Sequence, residues 1–314
     1  MRGTFQSASV HVAVDSRLSW VSRLIREACP GSFSEDLTIA HTLEVLVEAE
    51  RHPFDLRGFE PLTRGAWGRH GTVVVEDFCG SGFDLSLRCT EELAAFTYRW
   101  RPSVGTRLGS AVAQSRFVLL ARAALLQYPV LWWAGVHGRA PLHAAVCTVA
   151  SATPLLAGPG GLRKSALLEP ELAAGARATC DNVCVANGLT AWGLLEPVWM
   201  GAEHGETGEV AIRGSVPRLT PDPVVVLRRS ADQSCSARPC TPDQAARALV
   251  TGTYMAAELR GYWGVAATLT AGTGLGPSHP EIDGVARRFA TELPCLEVVV
   301  PHHAGPRLAE LLSG

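Results

Sequence analysis

Lysine is almost absent from this sequence: of 28 basic residues only Lys164 is not an arginine. Where any positive charge serves, arginine stands, so the lysine that remains is expected where a compact ammonium on a flexible stem does what a guanidinium cannot. Charge of both signs is sparse, 18% of residues with a formal net charge of −2, and the absence of a broad basic field excludes nucleic acid as a partner. Although there are nine cysteines, no CxxC pair occurs, and reduced, mostly buried thiols are expected. Cys180 and Cys184 fall at even spacing, which on one strand puts both on one face; packing accounts for them as well as zinc does. The N-terminal MRGTFQSASVHVAV lacks the apolar run of a signal peptide, and Arg116 and Arg122 interrupt the apolar stretch 110–127. A soluble, cytoplasmic protein without a membrane partner is expected. No internal repeat or low-complexity segment is present.

What the chain does have is apolar sequence, 47% of 314 residues, enough for two ordinary domains. Residues 1–135 read as a mostly antiparallel β unit flanked by helices. Asp15 is placed to cap a helix over 16–28, and 37–49 alternates like a strand. The runs 72–78, 83–89 and 94–100 have the pattern of a meander, and 110–128, apolar on more than one face, reads as a helix between layers joining the two halves. From about 136 the pattern changes to buried strands followed by loops and helices. The segments 142–150, 153–158, 178–186, 191–200 and 223–229 read as strands of one central sheet. Thr241-Pro242-Asp243-Gln244 carries a capping-box signature opening a helix to about 261, followed by a helix at 281–293, a strand at 295–300 and a short terminal helix.

The motif that carries chemistry is Gly158-Pro159-Gly160-Gly161-Leu162-Arg163-Lys164-Ser165, between a short apolar strand and the plausible helix ALLEPELAAG. A phosphate loop needs backbone N–H groups around the phosphates, a helix N-terminus behind them, a lysine on the β/γ oxygens and a hydroxyl on Mg²⁺. Lys164 and Ser165 supply the last two. Arg163 stands where the pattern has glycine, which alters the loop or aims a guanidinium at the nucleotide. Pro170 should kink or shorten the following helix. A plain Gly/Pro turn is the structural alternative, but the one lysine falls on the one position that demands lysine.

His143, the loop 158–165, Gly175 and Asp181-Asn182 together resemble the nucleotide-binding domain of the HPr kinase/phosphorylase family. His143 stands fifteen residues before the loop, and Asp181 and Asn182 follow Lys164 by seventeen and eighteen, as the family's histidine and aspartate pair do. The resemblance covers about 136–230 well and 231–314 loosely. It implies an α/β fold (α+β overall), with an HPr-kinase-like P-loop core over 136–314 and a distinct N-terminal substrate or accessory domain over 1–135. It also implies ATP and Mg²⁺ as cofactors and, as catalytic residues, Asp181 as the base that takes the hydroxyl proton, Lys164 and His143. The nucleotide would lie on Gly158, Pro159, Gly160, Gly161, Leu162, Arg163, Lys164 and Ser165, with Ser165 and Asn182 toward the metal. Asn182 replaces the family's second aspartate, and Ala211-Ile212-Arg213-Gly214 keeps the E-x-R-G segment without its glutamate; Glu203, His204, Glu206 or Glu209 could substitute. The family's lysine-rich loop has no counterpart, so reverse phosphorolysis is not expected. Small relatives occur in bacterial natural-product pathways, some phosphorylating a peptide serine, and HPr kinase is a hexamer, which makes a homo-oligomer an expectation.

Outside the motif, Trp132-Trp133 reads as interface packing. Gly272, Gly274 and Gly276 read as a lid or connector loop, and Arg99-Trp100-Arg101 with Arg107 as solvated charge at a strand end, with an anion-receiving role as the alternative. The reading is an ATP-dependent kinase acting on a hydroxyl of a peptide Ser/Thr or a small molecule. Its rivals are a nucleotide-binding pseudokinase that serves as scaffold in a biosynthetic complex, and a nucleotidyl transferase, whose product would be AMP.

Overall fold

A computed structural model describes residues 1–29, 31–150, 152–160, 162, 164–195, 198–199, 209–210, 215–230, 235–301 and 307–312. They form a mixed α/β structure in two compact units, Met1–Gly138 with Gly261–Pro280, and Arg139–Arg260 with Glu281–Gly314. Residues 261–280, expected with the rest of 136–314, thus pack with the first unit.

In the first unit β1 (Arg2–Ser7) and β2 (Val10–Ser16) form a hairpin whose turn residues Ala8 and Ser9 both take positive φ, 49° and 65°. Asp15 lies inside β2 and pairs with Arg2 at 2.7 Å, so it does not cap the first helix. The buried alternation of Val10, Val12 and Val14 carries the strand to Ser16, and α1 (Ser19–Ala28) begins without a side-chain cap. Helix α1 crosses to β3 (Leu43–Glu48), which runs parallel to β2, so only the second half of 37–49 is strand. Then come β4 (Glu60–Thr63), β5 (Ala66–Arg69), β6 (Thr72–Val75), β7 (Phe83–Cys89) and β8 (Ala94–Trp100). The eight-stranded sheet has the order β1-β2-β3-β8-β7-β6-β5-β4, antiparallel except at β2–β3 and β3–β8.

Four helices follow or return to this sheet: α2 (Val104–Val112), α3 (Gln114–Arg122), α4 (Tyr128–Val136) and, later in the chain, α7 (Tyr262–Thr273). Between α3 and α4 the chain widens to a π-helical turn over Ala123–Gln127, which accommodates Pro129 with its missing N–H near the start of α4. The run Gln114–Val136 is long and apolar enough to cross a membrane, but its most apolar window is 67% buried within the protein, as in a core helix. Trp132 and Trp133 belong to this core: the Trp133 indole donates to Thr42 Oγ1 at 3.1 Å and that of Trp132 to Thr270 Oγ1 at 3.4 Å. Gly272 is helical, in the last turn of α7, where a Cβ would lie 2.4 Å from Val73. Arg99 pairs with Glu48 at 2.8 Å and Arg101 with the buried Asp84; Arg101, Arg107, Arg51, Trp100 and Pro102 line a cleft of about 450 Å³.

The second unit holds two principal sheets in place of one. Its strands are β9 (Ala140–Leu142), β10 (Ala144–Cys147), β11 (Leu155–Ala157), β12 (Ala178–Cys180), β13 (Cys184–Ala186), β14 (Ala191–Gly193), β15 (Val198–Trp199), β16 (Glu209–Val210), β17 (Arg218–Leu219), β18 (Val224–Arg229), β19 (Ser236–Pro239) and β20 (Cys295–Val300). The larger sheet has the order β12-β10-β11-β18-β20-β19 and is parallel at its centre; the smaller is β17-β14-β13-β9, and β15 pairs with β16. Its helices are α5 (Lys164–Ala173), α6 (Pro242–Met255), α8 (Ile282–Glu292) and α9 (Leu308–Leu312). Leu168 and Leu172 of α5 and Leu308 of α9 close over Ala145, Leu156, Val225, Leu227 and Val298, while α6 packs on the same sheet and on α8. The Thr241–Gln244 capping box forms, with reciprocal bonds of 3.2 and 3.0 Å, but α6 ends at Met255, not near 261.

The runs 142–150 and 178–186 are each broken across the two sheets. Leu142 pairs in the smaller and Ala144 in the larger; Cys180 pairs in the larger and Cys184 in the smaller. Cys180 and Cys184 therefore stand on different strands, as free buried thiols. The two sheets meet closely at Gly193, where an added Cβ would lie 2.1 Å from the Thr179 carbonyl oxygen. Because that obstacle is backbone, Gly193→Ala should cost about 1–3 kcal/mol, read as a lowered urea midpoint at unchanged m-value.

Candidate phosphate-binding site

Three buried apolar residues form β11, the chain turns at Gly158, and α5 starts at Lys164. The strand–loop–helix order is therefore present, with Gly158, Pro159, Gly160 and Leu162 in the turn; Gly161 and Arg163 lie outside the described residues. Two glycines allow close packing here: a Cβ on Gly158 would sit 2.6 Å from the Leu162 side chain, and one on Gly252 of α6 would sit 3.1 Å from the Gly158 carbonyl oxygen, where backbone meets backbone. Helix α5 passes through the exposed Pro170 and stops three residues later at Ala173, with Gly175 at φ 94° beyond it.

Lys164 is 5% exposed, and its Nζ stands 3.3 Å from both ring nitrogens of His143 while donating to the Gly158 carbonyl, also at 3.3 Å. Burial pushes this ammonium down to about 8, against the opposing pull of the Glu258, Asp181 and Cys180 charges. Burial, and then the Lys164 charge, hold the His143 imidazole below its ordinary value, although Glu258, Asn182 and Gly158 act the other way. A histidine so placed is neutral at physiological pH and can accept from the ammonium. Its backbone N–H donates to Thr253 Oγ1 of α6 at 2.9 Å.

Ser165 follows Lys164 on α5 and donates to Asp181 Oδ2 at 2.9 Å. Asp181 is buried, which raises its carboxyl, while the Ser165 hydrogen bond and the Lys164 charge work against that rise. The placement of His143 and Asp181 has one architectural cause: each occupies a point where the chain leaves one sheet for the other, His143 between β9 and β10, Asp181 and Asn182 between β12 and β13. At such a point the backbone is freed from strand pairing, and the side chain can turn toward the loop. The structure thus brings together Lys164, His143, Ser165 and Asp181.

The Asn182 amide donates to Glu258 Oε1 at 2.7 Å. Glu258 has no counterpart among the residues expected from sequence. Helix α6 ends as Ala256 becomes extended (φ −62°, ψ 125°), and a single 3₁₀ turn, Ala257–Leu259, brings Glu258 back beside Asn182. In sequence it is one glutamate on a run that reads as continuing helix, and no spacing marks it out. Ala211-Ile212-Arg213-Gly214 and Glu203, His204 and Glu206 lie outside the described residues, as does the side chain of Glu209. Among the described residues no group of three His, Cys, Asp or Glu side chains could hold a metal ion.

No protein-family model matches the sequence, and a search of curated proteins finds no match. Among solved structures, the chain is similar to the Hpr(Ser) kinase/phosphatase from Coxiella burnetii, with 13% identity, a TM-score of 0.30, and coverage of 55% of this chain and 85% of that one.

Proposed function

We propose that the second unit binds Mg·ATP over Gly158–Ser165 and transfers its terminal phosphoryl group to a hydroxyl on a peptide serine or threonine or on a small molecule. The observation that carries this reading is the buried Lys164 ammonium at the loop–helix junction, bonded to the carbonyl that opens the loop, with Ser165 and Asp181 joined beside it. Among the described residues the Lys164 ammonium hydrogen-bonds to neutral groups alone, a carbonyl and an imidazole at 3.3 Å, which suits a buried cation to take up anionic oxygen. In this role Lys164 neutralises charge on the transferring group, and His143 steadies the ammonium through its neutral ring. Asp181 takes the proton of the attacking hydroxyl. Mg²⁺ keeps most of its coordination on phosphates and water and asks for one or two protein oxygens. The Ser165 hydroxyl, its proton directed to Asp181, would offer one such oxygen, and the bound ion would shield phosphate charge. The N-terminal unit would select the acceptor.

Calorimetry with Mg·ATP tests this reading, and the pH dependence identifies the group responsible. The Lys164 ammonium, depressed to about 8, is charged below that pH and loses its proton above it. Phosphate affinity should therefore be full near neutrality and fall about tenfold between about pH 7 and about pH 9, with proton uptake on binding at the alkaline end. Absence of Mg·ATP binding at every pH would remove the kinase reading.

A further inference from the structure

The end of α6 touches the loop site at three places within one helical turn and its sequel. Gly252 lies against the Gly158 carbonyl, Thr253 accepts from the His143 backbone, and Glu258 accepts from the Asn182 amide. Ala256 and Leu259, 2% and 1% exposed, fix the turn on either side of Glu258, so the carboxylate is held in place while its own residue remains exposed. Asn182 stands at the same sheet crossing as Asp181, its side chain acts on the His143 imidazole in favour of the protonated form, and that ring lies 3.3 Å from the Lys164 ammonium. Glu258, Asn182, His143 and Lys164 thus act on one another in turn.

We propose that Glu258 is a positioning residue of this site, holding His143, through the Asn182 amide, in the orientation that receives the Lys164 ammonium. The chemistry of position 182 supports this. An amide has both a donor and an acceptor, so Asn182 can donate to a carboxylate that only accepts and still accept from the imidazole N–H. An aspartate there would set two carboxylates against each other. Asparagine at 182 and glutamate at 258 are thus two halves of one arrangement. The role for ATP rests on the function proposed above; the arrangement itself does not.

Because Lys164 is the one lysine in the chain, protein grown with ¹³Cε-lysine gives a single side-chain resonance from the site. Glu258→Ala removes the acceptor, and Asn182→Asp replaces the donor with a repelling carboxylate. Both should displace the Lys164 resonance in nucleotide-free protein at one fixed pH. Both should also weaken Mg·ATP binding about tenfold, the worth of one charge-assisted hydrogen bond. The double variant Asn182→Asp with Glu258→Gln restores a donor facing an acceptor with the roles exchanged. It should return the resonance toward its native position and the affinity to within about twofold. If either single variant leaves the resonance in place, or if the double variant stays as displaced as Asn182→Asp alone, the positioning role is wrong. Should the native protein bind no ATP, the kinase reading fails while the resonance still decides the role of Glu258.

Discussion

Lys164→Ala should reduce Mg·ATP affinity by about 100-fold or more, to below what calorimetry detects in the native range. The size of the effect comes from what remains. With the ammonium gone, the described acidic groups acting on this point are the Asp181 and Glu258 carboxyls, and burial still disfavours a charged His143 ring. The site would change from one that attracts phosphate to one that repels it. Lys164→Arg should fail nearly as badly, although it keeps the charge. The side chain is 5% exposed, and among the described residues it bonds to one carbonyl and an imidazole, neither of which suits a planar five-donor fork. That outcome would give a physical reason for the survival of one lysine in a chain that otherwise uses arginine. Native-like binding by the alanine variant would place any nucleotide elsewhere, and with it the purpose of the loop.

Local signals were legible in the sequence where they depend on neighbours along the chain. The capping box at Thr241, the strands 83–89, 94–100 and 295–300, and the strand before Gly158 all appear where periodicity and turn residues put them. What failed depends on partners far away. A buried run such as 142–150 or 178–186 has the same apolar pattern whether it stays in one sheet or passes between two, because both of its faces are covered in either case. The break at His143 and at Asp181 is thus invisible, though the residues at the breaks stood out by their chemistry. Asp15 has a good capping side chain, but the alternation of Val10, Val12 and Val14 and the Arg2 partner outweigh it. The return of 261–280 to the first unit is decided by Trp132, Val73 and Leu62 against α7, contacts more than a hundred residues distant in sequence. Glu258 was hidden for a related reason: only the early end of α6 brings it to Asn182.

Asp181→Asn should separate binding from chemistry. Asparagine is close in shape and its carbonyl can still accept from Ser165, so the loop keeps the 2.9 Å contact and Mg·ATP affinity should change by less than about tenfold. Phosphoryl transfer should fall by about 10²- to 10⁴-fold, because the amide cannot take the proton of the attacking hydroxyl. The pH profile distinguishes this loss from a general distortion. Burial raises the Asp181 carboxyl above its ordinary value, so the base is protonated at low pH and is released as pH climbs past that raised value. Native transfer should therefore rise with pH through the acidic range, and the variant's residual rate should lose that rise. If native protein binds Mg·ATP yet transfers nothing to hydroxyl-bearing peptides or small molecules, and Asp181→Asn is indistinguishable from it, the carboxylate serves only to hold Ser165. The unit then acts as a nucleotide-dependent scaffold, in which Lys164 is kept for binding alone.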